Sequence, residues 1–416
     1  MNVVGIIAEY NPFHNGHLHH LEQSRLLTES NYTVVVMSPN FVQRGAPAIT
    51  NKWLRTKMAL VSGADLVIEL PTPYATASAE FFSHASVSLL HHTGIVNAIN
   101  FGSESNNIDL LTQISKILVE EPDQFKALLK ENLNDGVSFP RARAKALFDY
   151  CHFTPNLSLF TAEIKEIIQT PNNILGIEYL KALNKLGSTM TPTTIQRKGS
   201  GYHQAQLSGQ LSSATAIRSE VHKGNWDNAA TSMPPSSYDL LYDALGLLDR
   251  PVQYKDLSPF LCYRLLFSTP HELRGIMDIT EGIENRILKA FGQTQDIEEM
   301  VTLIKSKRFT QTTIQRMLLN IILHITKQDF YTFQEQGGPQ YIRVLGFRKS
   351  SEHLLTELKA HATLPIVMNP AKDYETLPPL AKRMLNMEIR STNVYATLQN
   401  ATHHLNMDYT HPLVII

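Results

Sequence analysis

Hydrophobic positions in the first hundred residues follow two alternating periods. Short runs rich in β-branched and aliphatic residues have the length of buried strands, and they lie at residues 3–8, 33–37, 65–70 and 98–101. The segments between them have apolar positions at helical spacing, and they lie at 16–28, 51–62 and 78–91. Strands that alternate with helices in this way form parallel sheets with helices on their faces. The pattern therefore predicts an α/β fold with a Rossmann-like parallel sheet.

The pattern changes beyond about residue 235. Before that point, a helix at 171–186, a strand at 193–196 and a helix at 212–223 continue the alternation. After it, long amphipathic helices dominate, with the clearest at 257–267, 282–290 and 312–326. Strand-like segments return near the end, at 341–346, 364–368 and 412–416. We therefore predict a Rossmann-like domain over residues 1–235, a mainly helical domain over 236–335 and a small α/β region over 336–416.

Composition narrows the classes of protein. The formal net charge is −1, so any contact with nucleic acid requires a local basic face rather than global charge. Two cysteines are too few for a disulfide framework or a cysteine-based zinc site. The sequence shows no secretory signal, and its apolar runs are shorter than the roughly 18–20 residues of a membrane span. We expect a cytoplasmic protein that does not enter a membrane, and the sequence leaves its oligomeric state open.

Four polar loops begin where the predicted strands end, at residues 9–17, 38–44, 69–73 and 102–104. In a parallel sheet the carboxyl ends of the strands lie at one edge, and ligands bind beyond that edge. The four loops therefore predict a single shared site.

The chemistry of that site lies in the segment NPFHNGH at residues 11–17. Gly16 permits close approach of a phosphate to the backbone, and the following helix offers unpaired N–H groups and a partial positive charge. His14 and His17 are three residues apart, so both can face one side of the first helical turn and stabilise a pentavalent phosphoryl group. A structural turn with two surface histidines and a pair of metal ligands are the alternatives. The position after the first strand favours a phosphate site.

The motif HNGH resembles the His-x-Gly-His signature of the nucleotidylyltransferase superfamily, which includes class I aminoacyl-tRNA synthetases. That superfamily also has a Ser/Thr-rich turn that ends in Ile-Arg, and the segment SSATAIR at residues 212–218 is similar to it. The resemblance implies that the hydroxyls of this segment and Arg218 grip the β- and γ-phosphates. The alternative for this segment alone is an ordinary helix N-terminus with an exposed arginine.

Longer strings resemble one family, the bacterial tRNA(Met) cytidine acetate ligases. They are GIIAEYNPFHNGH at 5–17, NFVQRG at 40–45, GADLVIELP at 63–71, FGSE at 101–104 and PNNILG at 171–176. The resemblance extends from Met1 to about residue 220 and continues more weakly to the C-terminus. Pro39 departs from it, because the family has glycine at this position.

The resemblance implies a two-step reaction. Acetate attacks the α-phosphate of ATP to form acetyl-adenylate, and the wobble cytidine of elongator tRNA(Met) then takes the acetyl group as N4-acetylcytidine. ATP is the co-substrate, and Mg²⁺ accompanies it. A small-molecule adenylyltransferase and a non-catalytic RNA-binding protein are the alternatives. Residues 1–235 would then form the ATP-binding catalytic domain, and 236–335 would contact tRNA.

The same resemblance assigns residues to the site. His14, His17 and Arg218 are expected to be catalytic, and no site for a resident metal ion is predicted. The residues expected to bind ATP are Ile7, Ala8, Glu9, Tyr10, Asn11, Pro12, Phe13, His14, Asn15, Gly16, His17, Leu18, His19, His20, Gly102, Asn172, Asn173, Arg197, Ser213 and Thr215. Glu9 is a candidate contact to magnesium. Asn172 and Asn173 would alternatively only cap a helix.

Contacts to RNA are predicted from clusters of cations. The residues expected to bind RNA are Lys305, Lys307, Arg308 and Arg316. A second cluster contains Arg343, Arg348 and Lys349. Solvated helix faces are the alternative for both.

Overall fold

The computed structural model describes residues 1–137, 139–155, 157, 160–197, 212–246, 251–280, 282–399 and 405–416. Its strands are β1 (Val3–Ala8), β2 (Tyr32–Met37), β3 (Phe41–Val42), β4 (Ala46–Pro47), β5 (Leu66–Glu69), β6 (Ala98–Ser103), β7 (Thr191–Gln196), β8 (Ile342–Phe347), β9 (Ile366–Val367) and β10 (Val414–Ile415). The apolar runs of the sequence thus form strands, and β1 has the predicted bounds.

Helices fill the intervals between the strands and form most of the middle of the chain. In the first half they are α1 (Asn15–Thr28), α2 (Lys52–Val61), α3 (Thr72–Ala75), α4 (Ala79–His92), α5 (Ile108–Glu120), α6 (Asp123–Asn134), α7 (Phe139–Phe153), α8 (Thr161–Ile167), α9 (Pro171–Lys185), α10 (Ala214–His222), α11 (Trp226–Ala230) and α12 (Pro235–Leu245). In the second half they are α13 (Ser258–Leu266), α14 (Pro270–Arg274), α15 (Ile283–Phe291), α16 (Ile297–Ile304), α17 (Gln311–Leu323), α18 (Lys327–Glu335), α19 (His353–His361), α20 (Pro370–Asp373), α21 (Pro379–Leu398) and α22 (Met407–Thr410).

The sheet has the strand order β10-β8-β5-β2-β1-β6-β7, and β9 pairs with β8. From β5 to β7 every pairing is parallel. The chain moves outward from β1 through β2 to β5 and then returns to the other side of β1 as β6. The strand order therefore reverses between β1 and β6, and a parallel sheet binds its ligand at such a switch point. The predicted Rossmann-like α/β fold is confirmed.

The central strands are buried on both faces. Side chains of β2 alternate between two apolar cores: Val34 and Val36 belong to one, and Val35 and Met37 belong to the other. This alternation follows from the period of two in a strand. Helices α4 and α9 cover the first face, and α2 and α12 cover the second. Among the described residues, no helix combines the length and apolar character needed to cross a bilayer.

The C-terminal strands join the first sheet. β8 pairs antiparallel with β5, with Leu66 opposite Phe347 and Glu69 opposite Arg343. β9 and β10 both pair with β8. The predicted α/β region over 336–416 therefore has no sheet of its own, because its strands extend the edge of the Rossmann-like sheet. The division into three domains stays a prediction, but the boundary at 336 is not a break in the sheet.

Candidate active site

The turn between β1 and α1 is built by reciprocal hydrogen bonds of two histidines. His14 is the N-cap of α1, with φ −140° and ψ 174°. Its Nδ1 accepts a hydrogen bond from the backbone N–H of Gly16 at 3.0 Å. The backbone N–H of His14 donates in turn to Nδ1 of His17 at 3.3 Å. Imidazole nitrogens thus act as the two acceptors of a capping box. The N-cap acceptor is commonly Ser or Thr, and the N3 acceptor is commonly Glu or Gln.

These hydrogen bonds determine the tautomers. Nδ1 of each ring accepts a backbone proton, so the proton of each neutral imidazole is on Nε2. The two rings stack at 3.7 Å between centroids with an interplanar angle of 24°. The site therefore presents two adjacent Nε2–H donors on the sides of the rings that face away from the capped backbone.

Both histidines are neutral near pH 7. Burial, together with the charges of Arg197 and Arg218, lowers the pKa of His14 to about 3. Burial also holds the pKa of His17 well below its usual value, with contributions from His14 and Arg197. His14 is only 7% exposed, so the alternative of two surface histidines is wrong. Within the described part of the chain, no group of three or more His, Cys, Asp or Glu residues is arranged to hold a metal ion.

Gly16 and Gly102 leave space for neighbouring side chains of the site. A Cβ on Gly16 would lie 2.8 Å from Cε1 of His14, so the His14 ring occupies the space that a side chain would need. A Cβ on Gly102 would lie 3.0 Å from Cγ of Arg197. Each glycine thus leaves room for a neighbouring side chain, the His14 ring at the start of α1 and the Arg197 side chain at the end of β6.

The second motif lies against the first. Ser213 caps α10, because its Oγ accepts the N–H of Ala216 at 3.2 Å. Arg218 on the same helix donates from Nη1 to the carbonyl of Asn11 at 2.6 Å and from Nη2 to Oγ1 of Thr215 at 3.1 Å. The tertiary structure thus brings together two segments that are 207 residues apart in sequence.

The loop after β6 forms the other side of the switch point. Arg197 follows β7, and its backbone N–H donates to the carbonyl of Ser103 at 3.0 Å. Its charge influences the pKa of His14, His17 and His20, so its guanidinium lies near all three rings. The predicted cationic stretch that continues at residues 198–203 lies outside the described residues.

Asn173 holds the loop after β6 through its side-chain amide. Its side chain is fully buried, and Oδ1 accepts from Oγ of Ser103 at 2.8 Å and from the N–H of Glu104 at 3.0 Å. Its Nδ2 donates to Thr170 at 2.7 Å. The amide therefore shapes the loop after β6, and its contact with a nucleotide stays a prediction. Asn172 is half-buried and donates to Oε1 of Glu104 at 2.6 Å.

Aromatic residues of the first motif pack against His17, and His20 is held by a hydrogen bond. The ring of Tyr10 lies 4.9 Å from that of His17, and the ring of Phe13 lies 5.6 Å from it. Both aromatic residues are fully buried. Nε2 of His20 bonds Oδ1 of Asn100 at 2.9 Å, and burial lowers the pKa of His20 to about 4.

The remaining predicted contacts to ATP lie in or next to this turn. Ile7 and Ala8 end β1, and Pro12 is buried. Asn15 is held by hydrogen bonds to the carbonyls of Ser232 at 3.0 Å and Thr231 at 3.3 Å. The next turn of α1 contains Leu18 and His19, which are half-buried.

Arg55 was missed by sequence reasoning. It is fully buried, and its guanidinium donates to the carbonyls of Glu9 at 2.7 Å, Ser38 at 2.9 Å and Thr50 at 3.1 Å, as well as to that of Pro39. Burial lowers its pKa to about 10. It therefore joins the ends of β1 and β2. The signal in the sequence was a cation within the apolar pattern of 51–62.

Glu9 helps to hold the loop after β2. Its Oε1 accepts the backbone N–H of Gln43 at 3.0 Å. Oε2 takes part in none of the hydrogen bonds of the described residues. One carboxylate oxygen therefore remains for another partner.

A second buried network lies at the end of β5. Nζ of Lys52 pairs with Glu69 at 2.5 Å, Asp408 at 2.7 Å and Glu388 at 3.2 Å. Arg343 completes it at 2.6 Å from Asp408 and 3.2 Å from Glu69. Three carboxylates face two cations, and burial together with this excess of negative charge raises the pKa of Glu69 to about 7. The network fixes α21 and α22 to the sheet.

Two arginines predicted to contact RNA are structural. Arg343 is 3% exposed and belongs to the buried network. Arg316 is 9% exposed, and its Nε lies 3.3 Å from Asp278. A buried, paired guanidinium does not neutralise a phosphate at the surface. The exposed part of the predicted group is Lys305, Lys307 and Arg308.

A family model and full-length relatives match this chain. The family model described as HIGH Nucleotidyl Transferase matches residues 1–408. The chain is 42% identical to the tRNA(Met) cytidine acetate ligase of Thermoanaerobacter sp. (strain X514), and the match covers 100% of both chains. It is 40% identical to the protein of the same name from Acetivibrio thermocellus, again over 100% of both.

Solved structures agree with these relatives. The fold matches the crystal structure of Thermotoga maritima TmcAL bound with alpha-thio ATP at a TM-score of 0.92, with 33% sequence identity. It matches the apo structure of that protein at a TM-score of 0.94, with 34% identity. Each match covers 100% of both chains.

Proposed function

Because the chain belongs to the tRNA(Met) cytidine acetate ligase family within the HIGH nucleotidyl transferases, we propose that it activates acetate with ATP and acetylates the wobble cytidine of elongator tRNA(Met). It is a ligase by its family. The observation that carries the proposal is the stacked pair of neutral histidines, which lies beside Arg218 at the switch point of the sheet. We propose the cytoplasm as the place of this reaction, since ATP and tRNA occur there together.

The proposed reaction has two balanced steps. A carboxylate oxygen of acetate forms a bond to the α-phosphorus of ATP, the α–β phosphoanhydride bond breaks, and pyrophosphate leaves. The N4 amine of cytidine then attacks the acetyl carbon, the bond to the adenylate oxygen breaks, and AMP leaves while N4 loses one proton to solvent. Activation is needed because the exocyclic amine of cytosine is a poor nucleophile.

His14 and His17 are proposed to stabilise the first transition state. Negative charge grows on the phosphate oxygens as acetate attacks, and fixed N–H donors in a water-poor site stabilise such charge. The capping box holds both rings in place before the substrate arrives, so little reorganisation is needed. Because both rings are neutral, they act as hydrogen-bond donors. They do not bind the anionic product as tightly as a charged imidazolium would.

Arg218 and Arg197 are proposed to bind the triphosphate. Arg218 is fixed by Asn11 and Thr215, and charge-assisted hydrogen bonds from guanidinium to phosphate are among the strong ones. Ser213 and Thr215 supply hydroxyls at the start of α10. Arg197 lies over Gly102 at the end of β6. Two cations would therefore flank the phosphates.

Magnesium is proposed to accompany ATP. Mg²⁺ is usually held by one or two carboxylates together with phosphates and water. Glu9 fits such a role because Oε1 is held by Gln43 while Oε2 remains. The ion would neutralise phosphate charge, and Glu9 would hold it directly or through water.

The decisive experiment separates the two steps. Exchange of labelled pyrophosphate into ATP is measured with and without acetate, and the purified enzyme is then given elongator tRNA(Met). We expect exchange only with acetate and N4-acetylcytidine only with tRNA. AMP joined to a metabolite without RNA would indicate a small-molecule adenylyltransferase. RNA binding without exchange would indicate a non-catalytic protein.

A further inference from the structure

Exposed aromatic side chains are concentrated at the end of α13. Tyr263 is 65% exposed, Leu266 is 68% exposed and Phe267 is 73% exposed. In the described part of the chain, they are three of the five large hydrophobic residues that are at least 65% exposed. The rings of Tyr263 and Phe267 lie 5.3 Å apart at 58°. We call these three residues the α13 platform. Contiguous exposed apolar groups of this kind mark interaction sites.

Cations flank the α13 platform. Arg264 lies next to Tyr263 on α13, and its guanidinium donates to the carbonyl of Ile321 at 3.2 Å and to Nδ1 of His324 at 2.8 Å. Burial and then the charges of Arg264 and Arg390 lower the pKa of His324, so Arg390 of α21 lies near the same point. Arg390 is exposed and makes no ion pair within the described residues.

The nearby carboxylates are already engaged. Asp329 pairs with Arg383 and accepts from Oγ1 of Thr326 at 2.6 Å. Glu272 accepts the backbone N–H of Thr269 at 2.8 Å. Three arginines, Arg264, Arg383 and Arg390, outnumber these two carboxylates, so the surface around the aromatic rings attracts anions, which favours a polyanionic partner. A second copy of the chain would bring like charges together on this face.

The α21 helix connects the α13 platform to the active site. Thr392 accepts from Nδ2 of Asn40 at 3.2 Å, and the hydroxyl of Tyr395 donates to the carbonyl of Ala48 at 2.8 Å. Both partners lie between β2 and α2. A helix rises about 1.5 Å per residue, so Arg390 lies roughly 8 Å along the axis from Tyr395.

We propose that the α13 platform, with Arg264 and Arg390, is the surface on which unpaired bases of the tRNA anticodon loop stack; this rests on the proposed function. The wobble base must leave the stack of its loop to reach an activated acetyl group, so its neighbours lose stacking partners. Aromatic faces and arginine planes replace such partners in single-stranded RNA. The occupant is therefore RNA with splayed bases.

The test compares two disruptive variants with a matched control and adds a conservative swap of the two rings. Tyr263→Ala/Phe267→Ala removes the rings, Arg390→Ala removes a phosphate contact, and Phe153→Ala is the matched control because Phe153 is 67% exposed on α7. We expect the KM for tRNA to rise at least about tenfold in the double variant, given the usual strength of base–aromatic stacking. Arg390→Ala should reduce the salt dependence of tRNA binding by about one charge. Pyrophosphate exchange should stay unchanged in all three, and Tyr263→Phe/Phe267→Tyr should restore the KM.

Three results would overturn the proposal. The first is a wild-type KM in the double variant. The second is a loss of dimers in light scattering, which would make this face a contact between copies. The third is a raised KM only in Lys305→Ala/Lys307→Ala, which would place RNA at the other end of α17, about 18 Å away. A wild-type chain that binds ATP and acetate but does not acetylate tRNA would instead reject the proposed function, and the α13 platform with it.

Discussion

Replacing the two histidines with amides should remove catalysis while keeping the turn. His14→Asn keeps an oxygen that can accept the N–H of Gly16, and asparagine is among the best N-cap residues. His17→Gln keeps an acceptor for the N–H of position 14, because glutamine suits the N3 position of a capping box. Neither amide supplies the Nε2–H donor of the native ring. The double variant therefore separates the chemical role of the imidazoles from their structural one.

The two roles have different magnitudes. Loss of one preorganised donor to developing charge typically costs about 2.7–4 kcal/mol, or 10²–10³ in rate. An intact cap is worth about 1 kcal/mol, and the substitutions retain it. We expect adenylate formation to fall at least about a hundredfold in each single variant. The free energy of unfolding should change by less than about 1 kcal/mol, whereas His14→Ala should lose that amount by removing the cap.

The assay is pyrophosphate–ATP exchange with saturating acetate, and urea unfolding is measured on the same preparations. His152→Asn is the matched control, since His152 is exposed on α7 and takes no part in the capping box. Exchange within tenfold of wild type in the double variant would refute the reasoning. A loss of exchange that only follows a loss of folded protein would refute it as well.

Further substitutions test the surroundings of the site. Gly16→Ala should displace the His14 ring, since the new Cβ would lie 2.8 Å from it, and should lower exchange at least about tenfold, the size of one neutral hydrogen bond. Lys52→Met should cost about 3–5 kcal/mol at pH 8 in urea unfolding, because it breaks a buried ion network. This loss should shrink toward pH 5, because the pKa of Glu69 rises further and the folded state then binds protons that the unfolded state has released. Arg55→Gln should cost at least about 3 kcal/mol, measured in the same way, because several buried carbonyls lose their donor. His14 should contribute a fall of up to about 1.4 kcal/mol per pH unit in the free energy of unfolding below about pH 6.5, because its folded pKa is about 3 and the unfolded chain takes up the proton first. Glu69 contributes in the opposite direction, so the measured quantity is the difference in slope between wild type and His14→Asn, in which this fall should be absent.

Local signals in the sequence predicted most of the elements. The run at 3–8 matches β1, and the helix predicted at 171–186 is observed as Pro171–Lys185. The capping box of α1 is also local, because its hydrogen bonds span at most three residues. Such features depend on neighbours in the chain, so the pattern of residue types is sufficient to indicate them.

Buried polar partners were not predictable from local pattern. Lys52 meets Glu388 across 336 residues, and Asn173 meets Ser103 across 70 residues. In the sequence, Arg316 and Arg343 cannot be distinguished from arginines at the surface. Only the folded chain places a carboxylate beside each of them. Burial of a charge depends on a distant partner, and no periodicity encodes which partner that is.

By itself the sequence determined the turn that holds His14 and His17, the succession of strands and helices, and the family. The tertiary structure alone decided that β8 continues the first sheet, that α10 brings Arg218 to that turn, and which charged residues are buried. The physical reason is the range of the interactions. Caps and amphipathic periods are satisfied within a few residues, whereas strand pairing and ion networks join groups whose proximity exists only in the folded chain.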